Sequence, residues 1–180
     1  MDRALARFPP GRALWIWLQT IDPLFRSAAL SCGSRAVGVI LSGLPNDGAS
    51  GLRAIKACGG TAVVQHPLDA EADAMPLGAL EAVDPDCVAR ASELADVLAG
   101  VVAMPAGPSL ERPASLAMEV QMADGGRLGS EALRRIAEPA PLSCPDCGGV
   151  LSEVRGEQPL RYRCQIGHAQ TAEVLAACTD

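Results

Sequence analysis

Two groups of residues in this chain have types and spacing suited to chemistry. The first is a lone carboxylate, Asp47, in the stretch Ser42-Gly43-Leu44-Pro45-Asn46-Asp47-Gly48-Ala49-Ser50-Gly51. An unbroken apolar run precedes this stretch and a helical pattern follows it. Asp47 is therefore expected at the C-terminal edge of a buried strand, where the loops of α/β folds converge on a crevice. A carboxylate placed there can orient the histidine of a nucleophilic site. It can equally cap the helix that follows by accepting the free backbone donors of its first turn. Spacing alone leaves both readings open.

The second group is Cys144, Cys147, Cys164 and His168, spaced as Cys-x2-Cys, sixteen residues, then Cys-x3-His. Zinc takes four tetrahedral ligands of these types, and a Cys-x2-Cys turn brings two thiolates to one ion. Val150 to Val154 and Leu160 to Tyr162 alternate like two short strands around Gly156, returning the chain so that the second ligand pair meets the first. This predicts a zinc-ribbon-like module over 143–178. Four protein ligands close the coordination shell, so the zinc is expected to be structural and to supply folding free energy. Cys178 reads as a thiol on a terminal helix over 171–177. Cys32, Cys58 and Cys87 stand apart among small or apolar residues and read as small hydrophobes.

The elements that position Asp47 follow from pattern and punctuation. Asp22-Pro23 starts a helix whose Leu24, Phe25, Ala28, Ala29 and Leu30 mark one face, and Gly33 stops it. Ala36 to Ser42 fits a parallel strand buried on both faces. Ala49 to Cys58 is the next helix, closed by Gly59-Gly60, and Thr61 to Gln65 the next strand. Helices are predicted from Met75-Pro76 to Ala82 and from Ser92 to Val102. This is the grammar of an α/β domain, read as the C-terminal part of a doubly wound, mostly parallel sheet with two strands visible. The chain divides into an unassigned segment at 1–20, the α/β unit at 21–103, a Pro-, Gly- and Ala-rich linker at 104–142 with a short helix at 128–136, and the cysteine module at 143–178.

Composition narrows the function classes. The 180 residues are 49% hydrophobic and carry a formal net charge of −6, which gives no footprint for nucleic acid or an anionic membrane. In the cysteine module Arg155, Arg161 and Arg163 are outnumbered by Asp146, Glu153, Glu157, Glu173 and Asp180. The apolar run Ala13 to Leu18 is far shorter than the ~20 residues of a spanning helix, and no cleavage pattern follows it. A cytoplasmic protein without membrane insertion is expected.

A longer span then adds a resemblance. Asp22-Pro23-Leu24-Phe25-Arg26-Ser27-Ala28-Ala29, Gly38 to Gly51, Gly59-Gly60-Thr61, Val63-Val64-Gln65 and Met75-Pro76 together are similar to the C-terminal half of the CheB-type chemotaxis protein-glutamate methylesterases. The cysteine module resembles an extension carried by some members. The resemblance implies a doubly wound α/β fold, hydrolysis of methyl esters on glutamates of methyl-accepting chemotaxis receptors, deamidation of receptor glutamines, and a Ser-His-Asp triad with Asp47 as its aspartate. The family's nucleophile turn, Gly-Ala-Ser-Thr-Gly-Gly, has no counterpart here, and Ser27, Ser31, Ser34, Ser42 and Ser50 occupy no such turn. His66 follows Asp47 instead of preceding it and reads as a strand-end substitution. Leu44 and Pro45 stand where members commonly have methionine and glycine. The expectation is a truncated relative, inactive alone, with the competing reading of a non-enzymatic zinc-ribbon interaction module in chemotaxis signalling.

Overall fold

The computed structural model describes residues 21–43, 47–108, 110–123 and 130–177. The readings made for 1–20, for Leu44 and Pro45, and for Cys178 fall outside these residues. The first unit runs α1 (Ile21–Cys32), β1 (Val37–Ile40), α2 (Ala49–Ala57), β2 (Thr61–Gln65), α3 (Ala74–Ala82), β3 (Cys87–Ala89) and α4 (Leu94–Ala103). The three strands pair in parallel in the order β1-β2-β3, with Val37 opposite Thr61 and Val63 opposite Cys87. The sequence reading missed β3. Its three residues lie between Asp84-Pro85-Asp86 and Arg90, too short to show a period.

Apolar side chains cover both faces of this sheet, as a parallel sheet requires. On one face Ile40, Ala62 and Val64 pack with Leu52 of α2 and with Met75 and Ala79 of α3. On the other, Val63 and Ala89 meet Leu94 of α4, with Val37, Val39, Cys87, Val97 and Leu98 around them. Cys58 is fully buried beside Ala29, Ala36 and Ile55, and burial pushes its thiol up. It packs as a small hydrophobe.

Helices α1 and α2 touch closely at Gly51. A Cβ there would lie 2.7 Å from Phe25 Cβ and 2.9 Å from the Asp22 carbonyl oxygen. Overpacking of this kind costs about 1–3 kcal/mol, whereas helix propensity alone favours alanine over glycine by about 1 kcal/mol. Gly51→Ala should therefore give a net loss of stability in urea denaturation. A net gain would show that the two helices separate freely.

The span 104–142 departs from the linker reading. It carries α5 (Ala114–Ala123), α6 (Ser130–Ile136) and β4 (Ala137–Ser143). Helix α5 was hidden because it has two apolar faces instead of one stripe. Leu116 and Val120 pack on the first unit beside Ala29 and Ile55, while Met118 and Met122 pack on Leu133, Ile136 and Val154. β4 was hidden by Pro139 and Pro141, which an edge strand tolerates because it need not donate on its open side. It is the edge of an antiparallel sheet β4-β5-β6-β7, completed by β5 (Val150–Val154), β6 (Arg161–Cys164) and β7 (Ala169–Thr171), with α7 (Ala172–Ala177) after it. Among the described residues no helix is long and apolar enough to cross a membrane.

Candidate functional site

Asp47 lies just beyond β1 and is only 4% exposed. Its Oδ2 accepts the Ile21 amide at 3.0 Å and its Oδ1 accepts the Asp22 amide at 3.1 Å. The helix it caps is therefore α1, which precedes it, and not α2. α2 instead starts from Gly48, whose φ of 92° suits glycine, with no side-chain cap. Burial raises the Asp47 carboxyl above its ordinary value. The Ile21 amide pulls it back down, and the nearby Asp22 charge adds to the rise.

Asp22 returns the favour between the two helices. Its Oδ1 accepts the Gly51 amide of α2 at 2.7 Å and its Oδ2 holds Arg26 Nη2 at 3.1 Å. Arg26 Nη2 also donates to Ser50 Oγ at 2.6 Å, and Arg26 Nε faces Glu119 Oε2 of α5 at 3.4 Å. Glu119 in turn pairs with Arg161 of β6. A buried ionic chain thus links the Asp47 edge to the C-terminal sheet. Burial alone would raise Glu119, but Arg161, then Arg26 and Arg163, outweigh it and hold the carboxyl below its ordinary value.

Sequence reasoning missed this chain. Asp22 and Arg26 are visible as an i,i+4 pair, but nothing local ties Glu119 to Arg161, 42 residues away. Arg161 and Arg163, which the charge tally set against the module's acidic residues, are 1% and 3% exposed. Burial, then the charge of Arg161, lowers Arg163 to about 10.

His66 is occupied elsewhere. Its Nδ1 accepts the Leu68 amide at 3.2 Å, capping the single turn Pro67–Asp69. The β2 end around it is tied by Gln65, whose Oε1 accepts the Ser42 amide at 2.9 Å and whose Nε2 donates to Asp69 Oδ2 at 2.9 Å.

The structure brings together all four residues of the second group. One ligand atom from each of Cys144, Cys147, Cys164 and His168 lies within 4.8 Å of every other, so the set can hold a single metal ion. Cys147 Sγ is 3.6 Å from Cys164 Sγ, and Cys144 Sγ is 3.5 Å from His168 Nδ1. Two tight turns present them. The Gly148 amide bonds the Cys144 carbonyl at 2.8 Å and the Gly167 amide bonds the Cys164 carbonyl at 3.1 Å. Gly148 and Gly167 adopt φ of 69° and 111°, which other residues adopt only with strain. The thiols are pushed apart in acidity. Burial takes Cys144 up to about 11, while the Gly149 amide draws Cys147 down to about 7.

Residues 15–98 match the family model described as CheB methylesterase. The α/β unit resembles the CheB methylesterases. A putative protein-glutamate methylesterase/protein-glutamine glutaminase of Leptospira interrogans is 45% identical over 78 residues, 43% of this chain and 40% of that protein. A protein-glutamate methylesterase/protein-glutamine glutaminase of Moorella thermoacetica is 41% identical over 83 residues, 46% of this chain and 20% of its own length. One from Anaeromyxobacter dehalogenans is 44% identical over 77 residues, 43% of this chain and 22% of its own. The chain thus spans at most about two fifths of these curated relatives. The CheB match contains Asp47, Asp22 and Arg26 but ends before α5, so Glu119, Arg161 and the cysteine cluster lie beyond it.

Proposed function

We propose that the α/β unit is the acid-bearing part of a protein-glutamate methylesterase, acting on glutamate methyl esters and glutamines of methyl-accepting chemotaxis receptors. The observation that carries this reading is the buried Asp47 carboxylate, fixed by two backbone donors at the C-terminal edge of β1. Each carboxylate oxygen offers a second lone pair, so a histidine N–H can still be accepted. In that role Asp47 would hold the imidazole in the correct tautomer and stabilise its cation while a serine attacks the ester carbonyl.

The sequence contains two histidines. His66 caps a turn and His168 belongs to the cysteine cluster. The serine and histidine of the triad are read as coming from another polypeptide segment, so the 180-residue chain by itself is inactive. Purified chain mixed with methyl-labelled receptor is expected to release no methanol above background. Adding the serine- and histidine-bearing segment of a full-length relative should restore release, and Asp47→Asn should then lower kcat by about 10⁴-fold, the loss seen when a triad histidine takes the wrong tautomer. Release by the chain alone that Asp47→Ala abolishes would overturn the inactive reading. Restored release that ignores Asp47→Asn would overturn its role.

The cysteine cluster is read as a structural zinc site. Ligands 2.3 Å from zinc at tetrahedral angles place neighbouring thiolates about 3.8 Å apart, close to the 3.6 Å between Cys147 and Cys164. Three thiolates and one imidazole suit zinc and leave no open position for water.

A further inference from the structure

Strand β6 has two faces with different partners. Side chains alternate along a strand, so Arg161 and Arg163 share one face and Tyr162 and Cys164 the other. Cys164 sits in the small core of Cys144 and Leu151, ringed by Cys147, Tyr162 and Leu175. Arg161, three residues earlier and on the opposite face, ends on Glu119 of α5. From there the chain of contacts runs through Arg26 to Asp22 and Ser50, then to the Gly51 amide, and through the Asp22 amide to Asp47. The turn before β6 adds a second tie to the same edge. The Gly156 carbonyl accepts Arg53 Nη1 at 2.6 Å, and Glu157 accepts from Ser50.

The two ends of the C-terminal sheet are anchored differently. β4 and the near end of β5 rest on an apolar core with α5 and α6, built from Leu133, Ile136, Ala137 and Val154. β6 and β7 hang on the cysteine cluster, on the pairing of β6 with β5 and on the pairing of β7 with β6. Losing the metal would release the second end and leave the first docked. Arg161 would then leave Glu119, and water would reach the buried carboxylate that holds Arg26 against the first turns of α1 and α2.

We propose that metal loading of the Cys144, Cys147, Cys164 and His168 cluster sets the order of the Asp47 edge of the parallel sheet, through Arg161 and Glu119. This rests on the cluster being a metal site. The test uses the whole chain, with cobalt(II) as the spectroscopic probe and hydrogen exchange as the readout. Removing metal with a chelator should speed exchange at the Asp22 and Gly51 amides about tenfold or more, as local opening replaces docking, and zinc should reverse it. The double variant Glu119→Met/Arg161→Met exchanges a buried pair for apolar side chains and leaves Arg26 on its other carboxylate, Asp22. It should bind cobalt as wild type does, while exchange at Asp22 and Gly51 no longer responds to metal. Cobalt binding with those amides unmoved in the wild type overturns the coupling alone, as does an unaltered response in the double variant. Absence of a cobalt–thiolate band removes the metal site and the coupling together.

Discussion

Cys164→Ser is expected to abolish binding of the proposed metal and melt β6 and β7, the largest effect expected of any single substitution among the described residues. The comparison of magnitudes is one-sided. Fully burying Leu151 contributes about 1.5–3 kcal/mol, and the other buried members of that core are the cysteines themselves. A structural zinc ion contributes an apparent ~10–16 kcal/mol at neutral pH. Serine keeps the shape of the side chain but supplies no thiolate, so the loss should equal that caused by a chelator on the wild type. Cobalt titration and hydrogen exchange at β6 and β7 read both halves of the result. A Cys164→Ser chain whose C-terminal sheet exchanges as slowly as the metal-loaded wild type would show that Leu151 and strand pairing suffice.

Glu119→Ala should cost about 3–5 kcal/mol in urea denaturation, because it leaves Arg26 and Arg161 buried without their shared carboxylate. An exposed pair such as Arg155 with Glu138 is worth up to about 1 kcal/mol. A loss of that smaller size at Glu119 would mean that water replaces the carboxylate. The pH dependence has a definite sign. The folded carboxyl titrates below its ordinary value of 4.5 because Arg161 and Arg26 outweigh burial. Its contribution is complete above pH 4.5 and is lost as pH falls through the lower folded value. The gap between wild type and Glu119→Gln should therefore close on acidification. Asp47 opposes this trend. Its carboxyl is raised by burial from 3.8, so its term favours folding most below that value and is lost as pH rises through the folded value.

Legibility in the sequence tracked the range of the interactions. β1 and β2 were readable because a parallel strand buried on both faces carries a continuous apolar run, as Val37–Ile40 and the Ala62-Val63-Val64 centre of β2 do. The Cys-x2-Cys and Cys-x3-His spacings were readable because each pair is closed by a local turn through Gly148 or Gly167. β3 was not, since Cys87–Ala89 has no room for a period. Proximity along the chain offered α2 as the helix that Asp47 could cap, one of two open readings. The actual donors, Ile21 and Asp22, lie 26 and 25 residues upstream and meet it only because α1 and α2 begin at the same sheet edge. Arg161 and Glu119 are each unremarkable polar residues until the second sheet docks. Helix α5 carries Leu116 and Val120 for one core and Met118 and Met122 for another, which cancels the one-sided stripe that would have announced it.

That double-faced helix limits modularity. A helix that answers to one core can drift with it, gaining a residue here and turning a few degrees there. α5 answers to two, so a rotation that improves the seat of Leu116 beside Ala29 withdraws Met118 from Leu133. The CheB match stops at residue 98 and the cysteine cluster begins at 144, yet neither part can be exchanged cleanly for a homologous part. Grafting the first without α5 would bare Ala29 and Ile55, and grafting the second without it would bare Ile136 and Val154. The two parts share α5 as their seam, so a change on either of its faces is felt by both cores.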